Sequence, residues 1–165
     1  MNRDNIPSFQ EFLTYFPEIE LPVNISSEYL NIFSNYNKPI PEDFIHTYII
    51  SSENSVDLEN VIEDEYITCF KIPGTMNFHA LVYIKISMLN YDYYLHSFDM
   101  AGNSIDSKVI ASMHSDGTNI IEKAALIDEN HMIWTMRADE TEDFDPAMSK
   151  FSGFQLLNNG KVISV

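Results

Sequence analysis

The sequence predicts an α+β fold in which an antiparallel β-meander of six to eight strands is covered by two or three short N-terminal helices. Turn residues such as Pro73-Gly74 and Asp116-Gly117 recur about every dozen residues between residues 66 and 135. Residues 78–87 carry apolar side chains on both faces, which indicates a strand covered on each side. Asn159-Gly160 between two apolar runs predicts a final hairpin.

The N-terminal part contains the helix signals. Ser8 and Glu11 form a capping box, and Pro17 ends the predicted helix at residues 9–16. Residues 19–25 alternate apolar side chains, but Pro22 restricts them to an edge strand or a linker. Further short helices are predicted at residues 26–33 and 41–49, and residues 56–65 form either an acidic helix or an ordered loop.

The strands follow from period-two patterns between turns. They are predicted at residues 67–72, 78–87, 93–99, 105–111, 120–127, 132–137, 151–157 and 162–165. Residues 90–92 are the expected turn into the aromatic run, and Ile105, Val109, Ala111 and Met113 are expected to share one face. We therefore expect one domain, residues 1–165, with residues 1–65 packed on the sheet of residues 66–165. A strongly bent sheet or a partial barrel is the next possibility.

The charge balance limits the classes of partner. The chain has 165 residues, with 25 acidic and 9 basic residues and a net charge of −16. A protein binds a phosphate backbone or an anionic membrane through cationic side chains, so neither nucleic acid nor a membrane surface is the expected ligand of this acidic chain. A basic protein is the partner that such a charge would attract, although solubility alone would also explain it.

The expected compartment is the cytoplasm. No apolar run approaches the roughly 20 residues of a membrane helix, and residues 1–5 lack a signal-peptide core. The single cysteine, Cys69, excludes an internal disulfide and fits a reducing environment. A periplasmic location remains open if a signal peptide has been removed.

Acidic segments supply the predicted partner-binding residues. The most acidic stretch, residues 138–146, is predicted as a loop before the last hairpin, and a second acidic stretch ends at Glu65. A Ca²⁺ site and a merely solvated loop are the alternatives, and the spacing does not match an EF-hand. Tyr91 is added to the acidic residues because tyrosine supplies a large contact area at protein interfaces. The predicted partner-binding residues are Asp139, Glu140, Glu142, Asp143, Asp145, Glu63, Asp64, Glu65 and Tyr91.

No catalytic residue, metal ligand or cofactor is predicted. The chain has 5 glycines and no phosphate-binding or nucleophile motif, and Cys69 lies in an apolar context where a thiol is inert. Enzymatic activity is therefore not expected. Four histidines recur near strand ends and would form a metal or ligand site only if the sheet brought them together: His79, His96, His114 and His131.

Three motifs carry a resemblance to a known group of proteins. They are Phe12-Leu13 with Phe16-Pro17 and Leu21-Pro22, the hairpin from Phe98-Asp99 through Gly102 to Ile105-Asp106, and the terminal Asn-Gly-Lys hairpin. With them the chain resembles small β-rich proteins of uncharacterised function from Bacteroidota-type bacteria. Some small acidic bacterial proteins of this kind are immunity proteins that block a cognate toxin. Together with the charge of −16, the two acidic segments and the absence of a catalytic motif, this resemblance favours a non-enzymatic inhibitor that binds a basic toxin or effector. The alternative is a ligand-binding or metal-binding β-module that uses the histidines, or an enzyme of unrecognised type.

Overall fold

The computed structural model describes residues 6–26, 38–50, 64–140 and 150–165, with only the backbone described for 138–140, 150 and 151. In these ranges the chain is mostly one antiparallel β-sheet, which confirms the predicted meander. The strands are β1 (Val23–Ile25), β2 (Glu65–Lys71), β3 (Phe78–Ser87), β4 (Asn90–Asp99), β5 (Ser104–Ser115), β6 (Ile120–Ile127), β7 (Met132–Glu140), β8 (Lys150–Leu156) and β9 (Val162–Ser164).

The eight predicted strands correspond to β2 to β9, and the described sheet has a ninth strand, β1, outside this consecutive order. Strands β2 to β9 pair in sequence order, and the ninth strand, β1, pairs with β6. Strand β6 changes partner along its length, because Lys123 lies opposite Ser112 of β5 and Ala125 lies opposite Ile25 of β1. The segment predicted as an edge strand or a linker therefore fills the gap where β5 and β6 separate.

The sheet curls around an inner core. Each of the nine described strands contributes at least one buried side chain to this cluster, from Val23 in β1 to Val162 in β9. Contacts between distant strands close the curl: the Asp106 carboxylate of β5 accepts a hydrogen bond of 2.8 Å from the Val162 amide of β9. Ser97 of β4 also donates to the carbonyl of Gly160 in the last turn.

A second cluster covers the outer face of β2 to β4 and contains the helical residues. Helix α1 (Phe9–Leu13) begins as predicted, because the Ser8 hydroxyl accepts from the Glu11 amide at 3.1 Å. It ends at Leu13 rather than at residue 16. Helix α2 (Glu42–Phe44) continues as a π-helical turn (Ile45–Ile49). The buried members of the outer cluster are Phe9, Phe12, Phe16, Ile40, Phe44, Ile49, Tyr66, Leu81, Tyr83 and Phe98.

The described helical content is lower than predicted. It consists of α1 and of α2 with its π-helical turn, while most of the segments predicted at residues 26–33 and 56–65 lies outside the described ranges. The N-terminal part also covers the free edge of β2, where Lys71 donates to the Pro17 carbonyl and Ile40 donates to that of Tyr66. None of the helices in the described ranges has the length and apolar character needed to cross a bilayer.

Candidate functional site

One row of paired residues crosses six strands of the sheet and shows which strand ends and turns lie at the same end. The row consists of residues that lie opposite one another in successive pairs: Glu65, Ile86, Tyr91, Met113, Glu122 and Ala138. At roughly 4.8 Å between strands it covers about 24 Å measured along the sheet. The start of β2, the β3–β4 and β5–β6 turns and the end of β7 therefore lie at the same end, which we call the acidic end after Asp64, Glu65, Asp92, Asp116, Glu122, Asp139 and Glu140.

All the predicted partner-binding residues that the structure describes lie at this end: Asp64, Glu65, Tyr91, Asp139 and Glu140. The sheet thus brings together two segments that are far apart in the sequence. The other four predicted residues lie outside the described residues: Glu63, Glu142, Asp143 and Asp145.

The first part of the predicted loop at residues 138–146 is a strand, and residues 141–146 lie outside the described residues. Strand β7 extends to Glu140, and Asp139 and Glu140 lie opposite Ile121 and Ile120 of β6. The prediction was wrong at this boundary because a run of acidic residues has low β-propensity, and pairing with β6 overrides it.

The acidic side chains at this end differ in what they contact. Glu65 is exposed, whereas the half-buried Asp64 forms an ion pair with Lys85 at 3.7 Å. Asp92 accepts from His114 at 2.8 Å. The amides of Asn119 and Thr118 hold the pKa of Asp116 below its usual range, so this carboxylate stays ionised to lower pH. Ion pairing thus offsets part of the negative charge, and Glu65 and Asp116 remain exposed.

Basic residues are present next to this end. Lys123 lies opposite Arg137, which in turn lies opposite Lys150. Burial, and to a smaller extent Arg137, lowers the pKa of Lys123, whose ammonium lies 5.5 Å from the centre of the Phe154 ring. This row lies one position further towards the middle of the sheet than the row that contains Glu65 and Glu122, so Glu65, Asp139 and Glu140 lie closer to the end of the sheet than these cations.

A small cleft lies beside Tyr91. Ile25, Tyr93 and Ala111 are its buried residues, and the others that line it are partly exposed: Ser26, Tyr91, Ser112, Met113, Glu122 and Lys123. Its cavity volume is only about 10 Å³, whereas pockets for small molecules usually measure roughly 300–1,000 Å³, so the cleft is too small for such a ligand. Tyr91 therefore packs largely against the inner core and is not a freely exposed contact residue.

The Tyr93 hydroxyl is buried in this cleft without a hydrogen-bond partner among the described residues. Burial raises its pKa, and Cys69 and Glu122 act in the same direction. We expect Tyr93→Phe to keep or raise the free energy of unfolding, by up to about 1 kcal/mol, because it removes an unsatisfied polar group. Urea unfolding measures this change.

Tyr83→Phe is the matched control, since its equally buried hydroxyl bonds His96 Nδ1 at 3.0 Å. Its loss should cost about 1–2 kcal/mol. A Tyr93→Phe variant that is destabilised as much as Tyr83→Phe would show that the Tyr93 hydroxyl has a partner in solution.

The four predicted histidines do not come together. His96 is buried between the hydroxyls of Tyr83 and Ser104, His114 bonds Asp92, and His131 donates to the Pro73 carbonyl at 2.8 Å. Neither ring nitrogen of His79 has a hydrogen-bond partner among the residues that the structure describes, and its ring lies 5.8 Å from that of Phe9. Within the described ranges no three His, Cys, Asp or Glu side chains are grouped to hold a metal ion.

Cys69 does not have the environment of a reactive thiol. Its side chain is fully buried in the inner core, and burial raises its pKa well above the usual value. A nucleophilic cysteine needs the opposite, an accessible thiol with a lowered pKa.

Sequence reasoning missed the β3–β4 turn. The predicted turn at residues 90–92 lies inside β4, and the observed turn is the pair Met88-Leu89 between Ser87 and Asn90. Neither residue is a usual turn residue, so turn chemistry pointed to Asn90 instead. The turn could have been located from the strand-like residue patterns on its two sides, which continue to Ser87 and resume at Asn90.

Comparison of the chain with protein-family models, with curated proteins and with solved structures found no match in any of the three. The acidic end of the sheet and the groups around it are therefore the basis of the functional argument.

Proposed function

We propose that this chain is a non-enzymatic protein-binding module, an immunity-type inhibitor that binds a basic toxin or effector through the acidic end of its sheet. The observation that supports the proposal is the row of paired residues, which gathers acidic residues from β2, β4, β6 and β7 at one end. A net charge of −16 acts in the same direction. Complementary charge accelerates encounter and disfavours acidic competitors.

The segment between α1 and β1 is also acidic, and Glu18 and Glu20 in it are exposed. The acidic end differs from it in combining charge with exposed apolar side chains in two adjacent turns. Interfaces typically have an apolar centre and a polar rim, and this combination favours the acidic end as the binding surface.

The partner is sought by co-expressing the tagged chain with each reading frame that neighbours its gene. We expect a protein of high pI to co-purify, and its toxicity or activity to be blocked by the chain. Capture of acidic proteins alone would contradict the proposal.

The role of the acidic end is tested by the association rate of that partner. The triple variant Glu65→Gln, Asp139→Asn, Glu140→Gln should associate about tenfold more slowly at low salt, because steering acts before contact. The difference should shrink at physiological salt, where the Debye length is about 8 Å. Stopped-flow or surface plasmon resonance measures both rates.

The control changes the same number of charges elsewhere: Glu18→Gln, Glu20→Gln and Glu129→Gln, all exposed and outside the acidic end. It should slow association much less. Equal slowing by the two triple variants would show that net charge alone attracts the partner and that the acidic end has no special role.

A further inference from the structure

Two large apolar side chains form the β3–β4 turn at the acidic end. Ser87 pairs with Asn90, which leaves Met88 and Leu89 as a two-residue hairpin loop. Their exposed fractions are 91% and 48%. Exposed apolar residues are common singly, but two at one hairpin tip require an explanation.

Neither the turn nor the core requires these residues. Two-residue hairpin loops favour Gly, Asn and Asp because the usual turn types need positive φ, yet neither Met88 nor Leu89 has a positive φ. Neither side chain belongs to the inner or the outer core cluster. Places where local sequence rules are broken without a gain in packing are expected at functional surfaces.

A third apolar side chain lies at the neighbouring turn. The Ser115 amide donates to the Leu89 carbonyl at 3.0 Å, which ties the β3–β4 turn to the β5–β6 turn. Ser115 lies opposite Ile120, whose exposed fraction is 42%. Met88, Leu89 and Ile120 together form what we call the apolar tip.

Three acidic residues lie next to the apolar tip in the sequence or in the strand register. Asp116 belongs to the β5–β6 turn, Asp92 lies two positions after Asn90 and bonds His114, and Glu140 lies opposite Ile120 in the register. An apolar centre within a charged rim is the arrangement of a protein interface whose centre supplies most of the binding energy.

We propose that the apolar tip inserts into an apolar pocket of a basic partner protein and stabilises the complex, whose formation the acidic residues accelerate. This inference rests on the proposed function and assigns separate tasks to the two sets of residues. The acidic rim increases the association rate, and Met88, Leu89 and Ile120 slow dissociation.

The remaining exposed apolar residues lie elsewhere on the molecule, including Met100 in the β4–β5 turn and Ile6 before α1. Met76, in the turn between β2 and β3, has an exposed fraction of 86% and lies at the opposite end of the sheet. Trp134, Met136, Ile163 and Val165 are exposed on β7 and at the C-terminus, and nothing in the structure indicates what would cover them. Met76 is therefore a matched control for Met88.

The test uses two defined peptides of equal length and equal lysine content, one alternating lysine with leucine and the other alternating lysine with serine. At low salt both should bind the chain. The leucine peptide should bind about tenfold more tightly, because only it buries apolar area against the tip. Isothermal titration calorimetry gives the two dissociation constants, and methionine-methyl NMR should show the Met88 signal shifting while the Met76 signal does not.

In the double variant Met88→Ser, Leu89→Ser the preference for the leucine peptide should fall to near one, with binding of the serine peptide unchanged. Met76→Ser should keep the full preference. Equal binding of the two peptides to the unmodified chain, or a preference that survives the double variant, would refute the apolar tip and leave the charge-based function standing. If neither peptide binds at low salt, the proposed function fails as well.

Discussion

Phe12→Ala is expected to lower the free energy of unfolding by about 3–5 kcal/mol, the usual cost of emptying a buried aromatic site. Phe12 is fully buried in the outer cluster, between the short helices and the sheet. Its ring stacks on those of Phe44 and Tyr48, at centroid distances of 5.6 and 5.1 Å, and meets Phe16 and Phe98 edge-on. The truncation leaves a cavity among rings that other contacts hold in place. Urea unfolding, with the midpoint and slope analysed separately, measures the loss.

Leu13→Ala is the matched control, because it lies next to Phe12 in α1 and is only partly buried. It should cost about 1 kcal/mol, so helix propensity cannot account for a larger loss at Phe12. A loss below roughly 0.5 kcal/mol for Phe12→Ala would mean that α1 is not docked on the sheet in solution.

The second large effect is a dependence of stability on pH that comes from His96. Burial lowers the pKa of His96 from 6.5 to about 4, although the Asp106 carboxylate acts in the opposite direction. Between these two pKa values the unfolded chain binds a proton that the folded chain excludes. Stability is therefore complete above about pH 6.5 and is lost as the pH falls towards 4, by an amount on the order of 3 kcal/mol.

His96→Gln removes the titrating group and keeps polar atoms near the hydroxyls of Tyr83 and Ser104. Its unfolding free energy should be lower at pH 7 but flatter between pH 6.5 and 4.5. Burial, together with Lys71, also lowers the pKa of His79, so some slope should remain. Denaturant unfolding at several pH values measures both slopes.

Tyr83→Phe is the control, because it removes the hydrogen bond to His96 Nδ1 and keeps the buried titrating ring. Its pH profile should stay about as steep as that of the unmodified chain. A His96→Gln profile as steep as that of the unmodified chain would show that other groups cause the acid sensitivity.

Much of the sheet follows from local signals in the sequence. The period-two pattern of residues 78–87 predicted a strand covered on both faces, and Ala80 and Leu81 do enter different clusters. Asn159-Gly160 predicted the last hairpin because positive φ is easy for glycine, and Gly160 has a φ of +84°. Ser8 predicted the start of α1 because its hydroxyl satisfies an otherwise unpaired amide.

Other features depend on partners that are distant in the chain. Val109 and Ala111 were predicted on one face, but they lie opposite Tyr94 and Tyr93, and the register shift between these pairs leaves Ile110 as an extra, buried residue. The pairing of β1 with β6 was also not predictable, since Pro22 is equally compatible with a linker.

The candidate site shows the same division. The sequence alone determined the composition of the site: the charge of −16, the acidic segments around Glu65 and Glu140, and the lack of a catalytic motif. Only the tertiary structure decided that these segments lie at one end of the sheet, that the histidines stay apart, and that Met88 and Leu89 form a turn. The physical reason is that charge and periodicity are properties of short segments, whereas register and strand order result from burying one core with residues from all nine described strands.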